Sequence, residues 1–167
     1  MKRQAVNPKM RAVFALEIHK KMVKNNKIWV VVNDLGYKMW DKVREDFPDR
    51  FINVGAAEQT LIGVSIGLAL NNKIPIAYSI TTFLLYRPFE TIRNYIHYEK
   101  IPVKLVGSGR NKDYIHDGIS HWAEEDKDIM KVLSNIKSYW PEDIKEIPKL
   151  VNKMLKSNKP YYINLKR

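Results

Sequence analysis

A chain of 167 residues with 45% hydrophobic and 28% charged side chains is one domain's worth of material, too apolar for a disordered polymer, and no apolar run approaches the roughly 18–20 residues of a membrane span. The absence of cysteine excludes disulfides, thiolate metal sites and a cysteine nucleophile. The basic N-terminus MKRQAVNPKMRAVF lacks the apolar core of a secretory signal, so a cytoplasmic setting is expected. The net charge of +11 sits at the two ends: residues 1–27 hold eight basic groups against Glu17 and residues 145–167 hold seven against Glu146, leaving 14 basic and 16 acidic groups between them. These ends are lysine- and asparagine-rich with helical apolar spacing, not arginine interleaved with aromatics. Solvated helix faces are expected, and neither nucleic acid nor membrane as a partner.

In chain order, Asn7-Pro8 reads as a helix cap followed by proline at the first helical position, and Met10, Phe14, Ile18 and Met22 continue at four-residue spacing. IWVVVN (28–33) is a continuous β-branched run of the kind buried on both faces of a parallel sheet. FINV (51–54), IPIAYS (74–79), PVKLVG (102–107), NIKSYW (135–140) and YYINL (161–165) are further strand candidates. Helical patterns lie between them at 37–47, 57–71, 86–99, 124–132 and 141–157, the last opened by Pro141, and Gly63 and Gly67 would let the second of these pack closely on a neighbour. No linker or repeat divides residues 1–167, so a single domain is expected. Alternation at this spacing predicts an α/β fold: a three-layer, open, mainly parallel sheet of about six strands with helices on both faces. Such sheets bind ligands at the carboxyl ends of their strands. Those ends are Asn33-Asp34, Gly55 to Gln59, Thr81 to Tyr86, and Ser108 to His121.

Glu58 opens a helix, where the dipole and free N–H groups favour an acid by about 0.3–1 kcal/mol, so its position alone needs no function. Phe83, Tyr86 and Phe89, three residues apart, suit a packed core or a ligand platform. The loop GSGRNKDYIHDGISHWAEED is long and polar, as functional loops at strand ends often are. His116, His121 and Glu124 are capable of ligating metal, but His-x4-His is not the i, i+4 helical pair and no second cluster supports it, so no metal is assigned. There is no P-loop or GxGxxG, and no Ser in a GxSxG elbow, since GVSIG (63–67) falls inside the 57–71 helical pattern and not at a strand-to-helix turn; the nucleotide-cradle and serine-hydrolase readings lack their chemistry.

Taken in order, RFINVGAAEQTLIGVSIGLAL, IPIAYSITTFLLYRPFETIRN, PVKLVGS, HDGISHWAEEDKDIM and NIKSYWPED resemble the pyrimidine-binding domain of transketolases and related thiamine-diphosphate enzymes, over about residues 8–167. The resemblance implies that Glu58, in A-E-Q, hydrogen-bonds N1′ of the cofactor's aminopyrimidine. Proton sharing there favours the imino tautomer, whose 4′-nitrogen removes the thiazolium C2 proton. It further implies that Phe83 stacks on the aminopyrimidine with Tyr86 and Phe89 at neighbouring aromatic positions, and that Asp34 is an acid near the thiazolium. Asp117 and His121 of HDGISH match residues that contact sugar hydroxyls, His121 serving catalysis, and Arg11 falls near an arginine that holds a substrate phosphate.

The chain departs from the family pattern at His116, Ser120, Trp122 and the RNKDY of 110–114, which bear on the choice of substrate. It has no G-D-G…N motif for magnesium and diphosphate, and transketolases continue beyond the position of YYINLKR into a third domain. The implied protein is the pyrimidine-binding subunit of a two-chain, thiamine-diphosphate-dependent transketolase-like transferase. It would move a two-carbon ketol unit between sugar-type small molecules, as a homodimer or heterotetramer with a separate diphosphate-binding subunit that holds most of the Mg2+ shell. Alternatives are a subunit of a deoxyxylulose-phosphate-synthase-like or ketoacid-dehydrogenase-like enzyme, or a non-catalytic interaction domain. The DG-x-SH loop followed by AEED favours the transketolase side.

Overall fold

In the computed structural model, which describes residues 9–167, the first element is helix α1 (Met10–Lys24). Met10, Phe14, Ile18 and Met22 are buried on one stripe, as their spacing predicts. The Asn7-Pro8 cap lies outside the described residues. Six strands follow, β1 (Ile28–Val32), β2 (Phe51–Asn53), β3 (Ile74–Ile80), β4 (Lys104–Ser108), β5 (Lys137–Tyr139) and β6 (Tyr161–Leu165), in one sheet of order β2-β1-β3-β4-β6-β5. All five pairings are parallel. Helices α2 (Asp41–Asp46), α3 (Glu58–Leu70), α4 (Thr81–Tyr86), α5 (Phe89–Thr91), α6 (Asp126–Val132) and α7 (Ile147–Lys156) complete the chain.

Strand alternation sorts the core into two layers. Val30 and Val32 face α1 and α7, joining Phe14, Ile18, Val151 and Met154, whereas Val31 faces the other way onto Leu61, Ile62, Leu84 and Leu85 of α3 and α4. Burial on both faces is why β1 reads as an unbroken apolar run and why β6 is apolar but for the buried Asn164. The chain leaves β1 for the outer strand β2 and crosses back to β3 on the other side of β1, which puts the reversal of direction between β1 and β3. A crevice at the carboxyl ends of those two strands is where this topology seats a ligand. Among the described residues no helix is long and apolar enough to cross a membrane.

Three local expectations need correction. The helix placed over 86–99 begins at Thr81, directly at the end of β3, and breaks at Pro88, which has no N–H to continue the ladder. It resumes as α5 and a π-helical stretch, Ile92–Tyr98. Pro141 does not open the last helix: a capping box does, with Asp143 accepting from the Lys145 N–H and Glu146 from the Asp143 N–H, and Pro148 sits in the first turn of α7. Gly63 and Gly67 pack on nothing within the described chain, since a Cβ at either would meet no atom within 4 Å.

Candidate active site

Glu58 is the first residue of α3, yet its side chain does not cap its own helix. The carboxylate is turned to the end of β1, where Oε1 accepts the Asn33 Nδ2 amide at 2.9 Å and the Arg87 guanidinium at 2.6 Å. Only 8% of Glu58 and 2% of Asn33 are exposed. Burying a carboxylate is costly unless it is paired, and these two donors are the compensation. Asn33 Oδ1 is itself buried with no hydrogen-bond partner among the described residues.

Phe83 stands beside this carboxylate because α4 starts without a loop. Thr81 Oγ1 donates to the Gly109 carbonyl at 2.7 Å, tying the start of α4 to the end of β4. Gly107 permits the approach, for a Cβ there would lie 2.6 Å from Thr81 Oγ1. One turn beyond Phe83, Arg87 folds back with its guanidinium carbon 3.7 Å from the Phe83 ring centroid, and His121 meets the same ring edge-on at 4.8 Å. Glu58, Asn33, Phe83, Arg87 and His121, from four segments, thus form one constellation. Tyr86 and Phe89 lie differently, packed against the α3-side core, and the Tyr86 hydroxyl reaches Glu125 at 3.2 Å. Burial and the Glu125 carboxylate push the Tyr86 hydroxyl well above its ordinary value.

Asp34 is exposed, with a left-handed backbone (φ 58°), beside the same strand end. Hydrogen bonds from Tyr37 (2.6 Å) and, more weakly, Asn53 hold its carboxyl below the usual range. Arg11 lies on the α1 side, donating to Ser108 Oγ at 3.1 Å and to the Tyr114 hydroxyl at 3.3 Å. It lines a cleft of about 530 Å3 shared with Lys9, Tyr37, Lys38 and Tyr114, a cationic hollow next to Asp34.

The long loop is fastened at both ends. Arg110, 5% exposed, donates to the carbonyls of Pro141 (3.0 Å) and Asn164 (2.7 Å) and pairs with Glu142 at 2.8 Å. Thr82 Oγ1 donates to the Ser120 carbonyl at 2.6 Å, and Trp122 Nε1 to that of Tyr114 at 3.3 Å. Gly109, at φ 88°, lies where a Cβ would collide with the Tyr114 ring. These ties bring His121 to Phe83 while Asp117 and His116 remain exposed on the outer turn. Among the described residues no three His, Asp or Glu side chains are grouped to hold a metal ion.

Sequence reasoning assigned no role to Asn33, Arg87 or Arg110. Arg87 carried one readable signal, its place four residues after Phe83, where side chains on a helix meet. Asn33 stood at a strand end and Arg110 in the RNKDY departure, but the pairings through which they act are set by the tertiary fold.

Residues 6–167 match the family described as the transketolase pyrimidine-binding domain. The chain is 31% identical to one of the subunits of the apulose-4-phosphate transketolase of Actinobacillus succinogenes, over 72% of this chain and 39% of that protein. It is 33% identical to the 6-deoxy-6-sulfo-D-fructose transketolase subunit of a Clostridium species, over 74% of this chain and 38% of that protein. The solved structure of a split-gene transketolase, an inactive beta4 tetramer, superimposes with a TM-score of 0.85 at 34% identity, covering 96% of this chain and 52% of that one. The chain therefore spans about two-fifths of the length of the curated relatives it matches. Its parallel six-stranded sheet and the match over nearly all its length make it a member of the transketolase pyrimidine-binding-domain family.

Proposed function

We propose that this chain is the pyrimidine-binding subunit of a two-chain, thiamine-diphosphate-dependent transketolase-like transferase that passes a two-carbon ketol unit between sugar-type substrates. The observation that carries the reading is Glu58: a carboxylate at a helix start that is buried beside an aromatic face and turned away from its own helix. The residues suit an aminopyrimidine chemically. They offer a buried proton-sharing acid, an aromatic wall and, in Asn33 Oδ1, an unused buried acceptor.

When bound, thiamine diphosphate would supply an acidic thiazolium C2–H and with it the carbon nucleophile that ketol transfer needs. Glu58 holds the proton at N1′, and Asn33 fixes its oxygen. Phe83 provides the face against which the ring is oriented, backed by the His121 edge. Asp34 puts negative charge beside the crevice, favourable to a cationic ring. His121 and Asp117 orient substrate hydroxyls, and Arg11, with Lys9 and Lys38, receives a phosphate in the cationic cleft. Tyr86 and Phe89 serve the pocket as its apolar backing.

Magnesium and diphosphate belong in this reading to a separate subunit, in line with relatives that are themselves named as transketolase subunits and with the split-gene transketolase. For a homodimer or heterotetramer, the exposed Leu70 with Gly63 and Gly67 on α3, and separately the exposed Ile115 and Ile119 of the loop, are apolar groups that a partner subunit would cover. The cysteine-free composition suits the cytoplasm. Reconstitution tests the proposal: this chain mixed with a transketolase-like chain carrying G-D-G is expected to turn over a ketose donor and an aldose acceptor, each chain alone being inactive. Turnover by this chain alone, or a mixture that binds thiamine diphosphate without ketol transfer, contradicts it.

A further inference from the structure

Arg87 is a side chain to which neither motif nor resemblance gives a task, and its guanidinium occupies both contacts that the proposed pyrimidine site offers. One N–H is on Glu58 Oε1 at 2.6 Å and the plane lies over Phe83 at 3.7 Å from the centroid. We infer that Arg87 is a built-in stand-in for the cofactor's aminopyrimidine, a positioning residue that neutralises Glu58 in the empty subunit and must be displaced when the ring enters. This rests on the reading of Glu58 and Phe83 given above.

The chemical likeness is close. A guanidinium is planar, presents an N–H edge to a carboxylate and stacks by its face on an aromatic ring. An aminopyrimidine offers the same edge and the same face once it has taken up a proton from solvent, shared between N1′ and the Glu58 carboxylate, in place of the charge that leaves with Arg87. Without Arg87, Glu58 would be left with the Asn33 amide alone in a nearly closed position, an unfavourable state for a carboxylate. With Arg87 in place, Oε1 has two donors and the Phe83 face is covered. A ring that uses both must expel the guanidinium.

Arg87 is suited to leave. Its side chain is 50% exposed and reaches Glu58 through one guanidinium nitrogen, so solvent takes over its hydration when it swings out. Its backbone stays anchored meanwhile, because its carbonyl accepts Gln59 Nε2 at 3.3 Å and Pro88 stiffens the next link. The ligand class follows: a flat heterocycle with an N–H edge displaces Arg87, and a ligand lacking that edge leaves the pair intact.

The test is titration of the full chain with thiamine diphosphate and with the neutral ring 4-amino-5-hydroxymethyl-2-methylpyrimidine, followed by chemical-shift changes at Phe83 and His121. The neutral ring removes any effect of Arg87 on a charged thiazolium or diphosphate. Wild type, Arg87→Ala and Arg87→Lys are compared, with thermal melts to verify folding. A half-exposed ion pair plus a cation–π contact corresponds to about a 5- to 30-fold gain in affinity for Arg87→Ala with both ligands, and Arg87→Lys, charged but not planar, should fall between. Unchanged or weaker binding by Arg87→Ala, or no saturable binding of either ligand, overturns the inference. Glu58→Gln in the Arg87→Ala background separates the two levels. If it abolishes ring binding while Arg87→Ala alone brings no gain, the pyrimidine reading stands without the stand-in; if it changes nothing, the reading itself fails.

Discussion

Asp126 and Asn164 meet at 2.6 Å, the Asn164 amide donating to Oδ2 of a carboxylate that is 1% exposed. The same oxygen accepts Trp140 Nε1 at 2.7 Å and the Tyr162 hydroxyl at 2.8 Å, so the first residue of α6 is bound to β6 and to the end of β5. Asn164 also reaches Thr81 Oγ1 at 3.3 Å, which places this cluster beneath the start of α4 and hence beneath Phe83. Asp126→Ala removes the acceptor shared by three donors, of which the Asn164 amide keeps only its longer bonds to Thr81 Oγ1 and the Tyr162 hydroxyl. An unpaired buried polar group costs roughly 1–3 kcal/mol and the three are not additive, so a loss of about 3 kcal/mol is expected, a fall in Tm of about 6–12 °C for a chain of this size. Thermal unfolding checks it, and a loss below about 1 kcal/mol would show that water replaces the carboxylate.

Lys104 on β4 is buried at the opposite end of the sheet, its ammonium donating to the carbonyls of Ser157 (2.8 Å) and Lys159 (2.7 Å). Burial pushes it down to about 8. A folded value below the unfolded one means that between pH 8 and about 10.4 the unfolded chain binds the extra proton, so stability rises with pH across that window. The expected slope from this group approaches about 1.4 kcal/mol per pH unit. Above about pH 10 the hydroxyls of the partly buried Tyr86 and the fully buried Tyr162, both pushed up chiefly by burial, work in the opposite direction. Denaturant unfolding at pH 7.5 to 10 measures the slope, and Lys104→Met should flatten it. An equal slope in that variant would assign the effect elsewhere.

His121 and Asp117 share a loop but not an environment, His121 lying on Phe83 and Asp117 in solvent. In the reconstituted enzyme, replacing either by Ala is expected to lower kcat/KM about 10-fold or more while hydrogen–deuterium exchange at the thiazolium C2 proceeds at near the wild-type rate. Equal loss of both would move the residue from the substrate to the cofactor.

Much of this was legible because it was local or periodic. IWVVV announced a strand buried on both faces, and the spacing of Phe14, Ile18 and Met22 announced a helix stripe. Thr81-Thr82-Phe83 falls, in the sequence, between the strand at 74–79 and the helical pattern at 86–99, because threonine and phenylalanine are weak helix formers. The helix begins there because the Thr81 hydroxyl finds the Gly109 carbonyl, 28 residues away. Glu58, Phe83 and His121 are singled out by the family resemblance, not by residue type alone, and the fold gathers them around Arg87 and the Phe83 ring. Phe83, Tyr86 and Phe89 fitted both core and platform in the sequence, and in the structure Phe83 faces the crevice while the other two pack inward. The pairing of Asn33 and Arg87 with Glu58 is not legible in the sequence because their meeting point exists only after β1, α3 and α4 converge, at separations of 25 and 29 residues from Glu58.

Glu58→Gln tests the central claim most directly, for it keeps shape and reach while removing the shared proton. The measurement is hydrogen–deuterium exchange at the thiazolium C2 of the reconstituted complex, with thermal unfolding in parallel. Positioned acid–base groups contribute about 10²–10⁴-fold, so exchange is expected to slow by that order with the complex still assembled. A residue that merely favours its helix start would instead lose only about 0.3–1 kcal/mol of stability. Exchange near the wild-type rate in a normally assembled Glu58→Gln complex would contradict the assignment.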